Sequence, residues 1–133
     1  MNIQEHLKTA RRSGEFEFFI EDRREDCVTS RMPVGKGALN PFGTVQAGAM
    51  LWLADVTATV LALRKAQISA DGKGFPLAIN LHTSLLGNQR EGELTAEARF
   101  VRSGKRLTVV RTRVTGAQGQ LLAEVTTTHL PAT

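Results

Sequence analysis

The sequence predicts an α+β fold in which a curled antiparallel sheet of five to six strands wraps one long central helix. Three observations predict it. Residues 45–66 are nearly all apolar and have the length of a helix. Segments on either side alternate apolar and polar residues with the period of a strand. The last three are joined by the short glycine-bearing turns "RSGK" and "GAQG", which predicts a meander. A helix apolar on almost every side must be covered on most sides, and a curled sheet covers it.

The elements follow in order. Residues 2–13, "NIQEHLKTARRS", predict a short amphipathic helix with Ile3, Leu7 and Ala10 on one face, ended by Gly14. "FEFFIEDRR" (16–24) and "DCVTSRMPV" (26–34) read as two strands paired through a tight turn near Arg23–Glu25. "GKGALNPFG" (35–43) is a loop by its glycines and proline, and the long helix follows. After a second loop (69–76) come strand patterns at 77–86, 93–101, 106–115 and 120–130. No repeat or linker divides residues 1–133, so a single domain is expected. Such a sheet leaves an open edge, and pairing it with a second copy predicts a homodimer with one continuous sheet.

Composition narrows the function. The chain has 133 residues, 41% hydrophobic and 23% charged, which is ordinary for a soluble domain. Its net charge of +4 suits an anionic ligand. The basic residues are scattered, there is no Tyr, and only 5% of residues are aromatic, so nucleic-acid binding is not expected. One cysteine, Cys27, excludes an internal disulfide and reads as a small core hydrophobe. The N-terminus lacks an apolar signal core, so a cytoplasmic protein is expected. The apolar helix carries Gln46, Asp55, Thr57 and Thr59, and a central Asp costs about 3 kcal/mol in a bilayer, so a membrane span is not expected. His6 and His129 have no metal-ligand spacing, and no metal site is expected. Trp52 reads as helix packing.

Asp55 is the anomaly. Burying an unpaired carboxylate costs several kcal/mol unless it finds partners or shifts its pKa. Two readings compete: a structural carboxylate that caps a loop or pairs with an arginine, or a catalytic one. The helix start, "LNPFGTVQAGAML", favours chemistry. A helix's first turn presents unpaired N–H groups and the positive end of its dipole, and Gly48 and Ala47 there allow close approach. Gly48, Asp55 and Thr59 fall near one stripe of the helix.

The run from Asn40 to Asp55, N-x-x-G-x-x-Q-A-G-x-x-x-x-L-A-D, resembles the signature of hotdog-fold acyl-CoA thioesterases of the phenylacetate-pathway type. The family's usual form has Asn, Gly, His-Gly-Gly and Leu-Ala-Asp at the same spacings. The resemblance extends over most of the chain and implies the fold argued above. It implies that Asp55 is the catalytic carboxylate, as nucleophile or as general base on water. Ala47 would offer its N–H to the thioester carbonyl, Asn40 would orient water or the carboxylate, and Thr59 would hydrogen-bond a reacting group or Asp55. Gln46 and Ala47 stand where His and Gly are usual; Gln can hydrogen-bond but cannot shuttle a proton.

Gly48 and the strand residues Asn80, His82 and Thr83 would line the substrate site, although a lone strand histidine such as His82 is more often structural. In "VRSGKRL" (101–107), Arg102, Ser103, Gly104, Lys105 and Arg106 would lie near the pantetheine and phosphates of coenzyme A, or form only a solvated turn. No cofactor is implied beyond the coenzyme A of the substrate. The resemblance also implies a site at a dimer interface, with carboxylate and helix N-terminus from different chains, and a dimer of dimers beyond that. The expected activity is hydrolysis of a small aromatic or short- to medium-chain acyl-CoA. The alternatives are a non-catalytic acyl-CoA-binding module and an acyl-thioester dehydratase or hydratase; the latter needs a His that this loop lacks.

Overall fold

The structure is a computed structural model that describes residues 2–11 and 13–133. A short helix α1 (Ile3–Lys8) is followed by β1 (Phe19–Arg23), β2 (Cys27–Pro33), the long helix α2 (Ala47–Ala62), β3 (Pro76–Leu85), β4 (Glu93–Ser103), β5 (Thr108–Thr115) and β6 (Leu121–Pro131). The six strands form one antiparallel sheet in the order β1-β2-β4-β5-β6-β3. This is the predicted hotdog arrangement, and β4, β5 and β6 form the predicted meander.

α2 lies across the sheet. Ala49, Met50, Leu53, Ala54, Thr57, Ala58, Leu61 and Ala62 recur at helical spacing and are buried. The helix-facing residues of the strands, among them Val28, Met32, Leu94, Ala96, Val110, Val114 and Val125, are fully buried. Alanines on both sides (Ala49, Ala54 and Ala58 on α2; Ala96, Ala98 and Ala123 on the strands) let the backbones approach closely. The stretch Ala47–Lys65 has the length and hydropathy of a membrane span. In this fold it is the helix that the sheet packs on, which accounts for its composition.

Three elements depart from the pattern read in the sequence. The N-terminal helix is shorter than residues 2–13: Asn2 caps it, and it ends at Lys8. Arg12 lies outside the described residues. Residues 16–18 do not join β1; the rings of Phe16 and Phe18 pack on Trp52 instead, with centroids 5.2 and 5.5 Å away. Aromatic burial outweighs strand alternation there. The helix of residues 45–66 starts at Ala47 and tightens to a 3-10 turn, Leu63–Lys65, at its end. Cys27 is buried as predicted, and burial pushes its thiol pKa up.

One buried polar pair ties α2 to β2. The Thr57 hydroxyl donates to the Leu53 carbonyl, so Ser30 Oγ is the donor to Thr57 Oγ1. Both residues are fully buried. Thr57→Val orphans the Ser30 hydroxyl and is expected to cost about 1–3 kcal/mol, whereas adding Ser30→Ala to it recovers most of that loss. Urea unfolding of the two single variants and the double variant measures the coupling; strictly additive losses would contradict it.

Candidate active site

The loop before α2 is held rigid by its own side chains. Asn40 Oδ1 accepts from the N–H groups of Phe42 (2.9 Å) and Thr44 (3.2 Å), and its Nδ2 donates to Thr44 Oγ1 (2.6 Å). Gly43 takes a left-handed φ of 82°, and Arg90 Nη1 donates to the Phe42 carbonyl at 2.8 Å. The Asn88 amide clasps Val45, accepting from its N–H and donating to its carbonyl, both at 2.9 Å. Asn40, expected to orient a reacting group, thus has its amide largely engaged in shaping the loop.

Gln46 is the N-cap of α2, but its side chain does not cap; its Nε2 donates to the Gly37 carbonyl at 2.8 Å. Among the described residues no acceptor takes the N–H of Ala47 or Gly48, and both residues are exposed. A Cβ at Gly48 would meet nothing nearer than Gln46 Oε1 at 3.9 Å, so the approach is open. The result is an uncapped helix N-terminus aimed at solvent, with the helix dipole behind it.

Asp55 and Thr59 are half-buried, on the stripe opposite the one α2 buries, together with Gly48. Asp55 Oδ1 is enclosed and has no hydrogen-bond partner. The ion pairs of the described residues are surface pairs, and among the described residues no arginine pairs with Asp55. Asp55 follows Ala47 by eight residues, about 12 Å at 1.5 Å per residue. One chain therefore cannot bring both to one carbonyl carbon.

β3 splits the predicted strand residues. Thr83 pairs with buried Val125 and faces the helix side, where its Oγ1, like Asp55 Oδ1, is enclosed without a partner. Asn80 and His82 pair with Thr128 and Thr126 and lie on the outer face. The three residues expected to line the substrate site thus fall on two faces of the strand. Strand alternation is the cause: His82 and Thr83 are neighbours and point to opposite faces, and Asn80 falls on the face of His82.

The β4–β5 hairpin forms a second locus. Lys105 and Arg106 line a cavity of about 270 Å³ at the C-terminal end of α2, and Lys65 joins them. Lys65 Nζ donates to Ser103 Oγ at 2.9 Å and to the Gly104 carbonyl. Arg102 is exposed and outside this cavity. His129 and Thr108 also line it. Lys65 and His129 were not expected here. The alternation Val125, Thr127, His129 on the helix-facing side was the available signal for His129.

The Pro76 carbonyl can only accept, so His129 Nδ1–H donates to it at 3.2 Å and the Thr127 hydroxyl donates to Nε2 at 2.8 Å. Burial pushes the His129 pKa down; the Pro76 carbonyl and the Asp55 charge oppose this.

A curled six-stranded antiparallel sheet packed on one long helix is the architecture of the hotdog class. A family profile described as thioesterase superfamily matches residues 42–123, more than half of the chain. The chain belongs to the thioesterase superfamily, and its class of reaction is thioester hydrolysis. Solved structures share the fold. A thioesterase of Staphylococcus aureus is 22% identical with a TM-score of 0.81, covering 89% of this chain and 95% of that one. A hypothetical thioesterase of Streptococcus pneumoniae, solved with coenzyme A, is 19% identical with a TM-score of 0.77 over 87% and 86%. A phenylacetic acid degradation-related protein of Ralstonia eutropha is 24% identical with a TM-score of 0.76 over 85% and 83%. No curated protein matches the sequence.

The depressed His129 pKa has a consequence for stability. As pH falls, the unfolded chain takes up this proton before the folded one does. Stability is then unaffected by His129 above its ordinary pKa of 6.5 and declines as pH drops below that value. Urea unfolding from pH 7.5 to 5 should show this decline, and His129→Gln should flatten the slope. An unchanged slope in the variant would show that His129 does not contribute.

Proposed function

We propose that the chain hydrolyses the thioester of a small aromatic or short- to medium-chain acyl-CoA in a site shared by two copies. The observation that carries this reading is the unpaired Asp55 carboxylate on the free face of a helix whose first N–H groups are uncapped. The thioester carbonyl accepts from the Ala47 N–H, assisted by the helix dipole. Asp55 of the other copy either takes a proton from attacking water or attacks the carbonyl itself. The C–S bond breaks, coenzyme A leaves as the thiol, and the acid is released; an acyl-aspartate, if formed, is opened by water. Thr59, one turn from Asp55, donates to the carboxylate or the reacting water. No cofactor enters beyond the coenzyme A of the substrate. The cations at the hairpin, Lys65, Lys105 and Arg106, suit its phosphates. The pneumococcal structure with coenzyme A supports that class of ligand.

The two sheet edges support the second copy. β1 is short and carries Glu21, Asp22 and Arg23, the composition of a protected edge. β3 has ten residues and leaves Leu77 49% and Ile79 57% exposed. Pairing β3 with its counterpart covers that edge and makes the sheet continuous.

Ala47 is the first helical residue, where proline is tolerated, and Gln46 before it is extended. Ala47→Pro therefore removes the N–H without breaking α2, and a loss of about 10²–10³ in kcat is expected. Asp55→Asn is expected to lose about 10² or more. The two variants refolded together at equal concentration should recover activity, because each mixed dimer has one intact site, about a quarter of all sites. A free-thiol assay against a panel of acyl-CoAs measures all three. Failure to recover activity would overturn the shared site, and no turnover by the unmodified protein would overturn the enzyme reading.

A further inference from the structure

A groove of about 390 Å³ lies between α1 and the loop before α2, away from the hairpin cavity. Gln46, the N-cap of α2, belongs to its wall, so the groove opens beside the uncapped N–H groups. Its apolar surface comes from Leu7, Leu39 and Pro41. Leu7 is 59% exposed, an apolar side chain facing open space that an occupant would cover. The polar part is one-sided: Arg11, His6 and the amides of Asn40 and Gln46, with no carboxylate. The acid of α1, Glu5, is turned to Lys8 at 3.0 Å, and among the described residues no acid pairs with Arg11.

We infer that this groove takes the acyl end of the thioester, and that the acyl group it selects ends in a carboxylate. An apolar chain fills the space between Leu7, Leu39 and Pro41. The terminal carboxylate meets the Arg11 guanidinium, whose planar fork fits two oxygens at once, with His6 as a second donor. The groove is of the size of a small-ligand site, and the cations suited to coenzyme A phosphates stand at the other end of α2. This rests on the thioesterase reading for the position of the carbonyl, but the carboxylate site itself does not.

Two measurements separate the readings. The first is kcat/KM for glutaryl-CoA and pentanoyl-CoA, which share a five-carbon chain and differ in the terminal carboxylate. The protein is expected to prefer glutaryl-CoA by about tenfold or more, and Arg11→Gln to bring the ratio to about one. The second is binding of free glutarate, followed by calorimetry and by the His6 imidazole resonances; Arg11→Gln should abolish it. Equal hydrolysis of both thioesters, with no effect of Arg11→Gln, would overturn the groove assignment and leave the thioesterase reading intact. Glutarate binding that depends on Arg11, without hydrolysis of any thioester, would support the groove and overturn the thioesterase reading. Neither hydrolysis nor binding would overturn both.

Discussion

Everything in this structure depends on how α2 is covered. A 16-residue helix that is apolar on almost every side cannot stand with one face in water. Its own sheet buries one stripe, from Ala49 to Ala62, and the alanines on both sides set a close approach. The opposite stripe, with Gly48, Asp55 and Thr59, is left half-covered. The same helix is thus the centre of the core and the scaffold of the site. Residues on it are held by packing, which gives a carboxylate at Asp55 a fixed direction without any hydrogen bond to hold it.

The core around that helix is uneven. Near the N-terminal half of α2 it is a continuous apolar cluster, including Met32, Val45, Met50, Leu53, Leu94 and Leu122. Toward the C-terminal half a second apolar cluster, Val28, Ala58, Leu61, Ala98 and Val110, is joined by polar residues: Thr57, Thr108, Thr112, Thr127 and His129 are all buried. Ser30 with Thr57, and Thr127 with His129, satisfy one another. Thr112 Oγ1 is left without a partner. The apolar end anchors the uncapped N-terminus, which on the proposed reading polarises a carbonyl. The polar end borders the cationic cavity, and it is where burial of a titratable group links stability to pH.

Much of this was legible in the sequence, because periodicity reports burial. The apolar run of 45–66, the alternation of the last strands and the glycine turns all follow from one face being covered. Asp55 stood out as a charge inside such a run. What the pattern could not report is local competition. Phe16 and Phe18 alternate like a strand, but Trp52 offers their rings a better surface. In β3 the alternation is real and puts Asn80 and His82 on the outer face and Thr83 inward, but a register shift after Ala78 breaks the match of Leu77 and Ile79 to that pattern: Leu77 pairs with Leu130 and Ala78 with buried His129. Lys65 reaches the hairpin only through tertiary packing, which no spacing along the chain encodes.

The unpaired carboxylate is best understood through the edge of the sheet. In one chain Asp55 is only partly enclosed, and β3 presents exposed leucine and isoleucine to water. On the proposed reading one event resolves both. A second copy that covers β3 also closes the free stripe of α2 and brings an uncapped helix end within reach of Asp55. Removing water from N–H groups strengthens their pull on a carbonyl oxygen. On that reading the acid's Oδ1, already enclosed in the lone chain, is left for the water or substrate of the shared site to meet. Part of the cost of burying the charge is met in folding, where Oδ1 is already enclosed, and on the proposed reading the rest is met at assembly by the apolar area of the same interface.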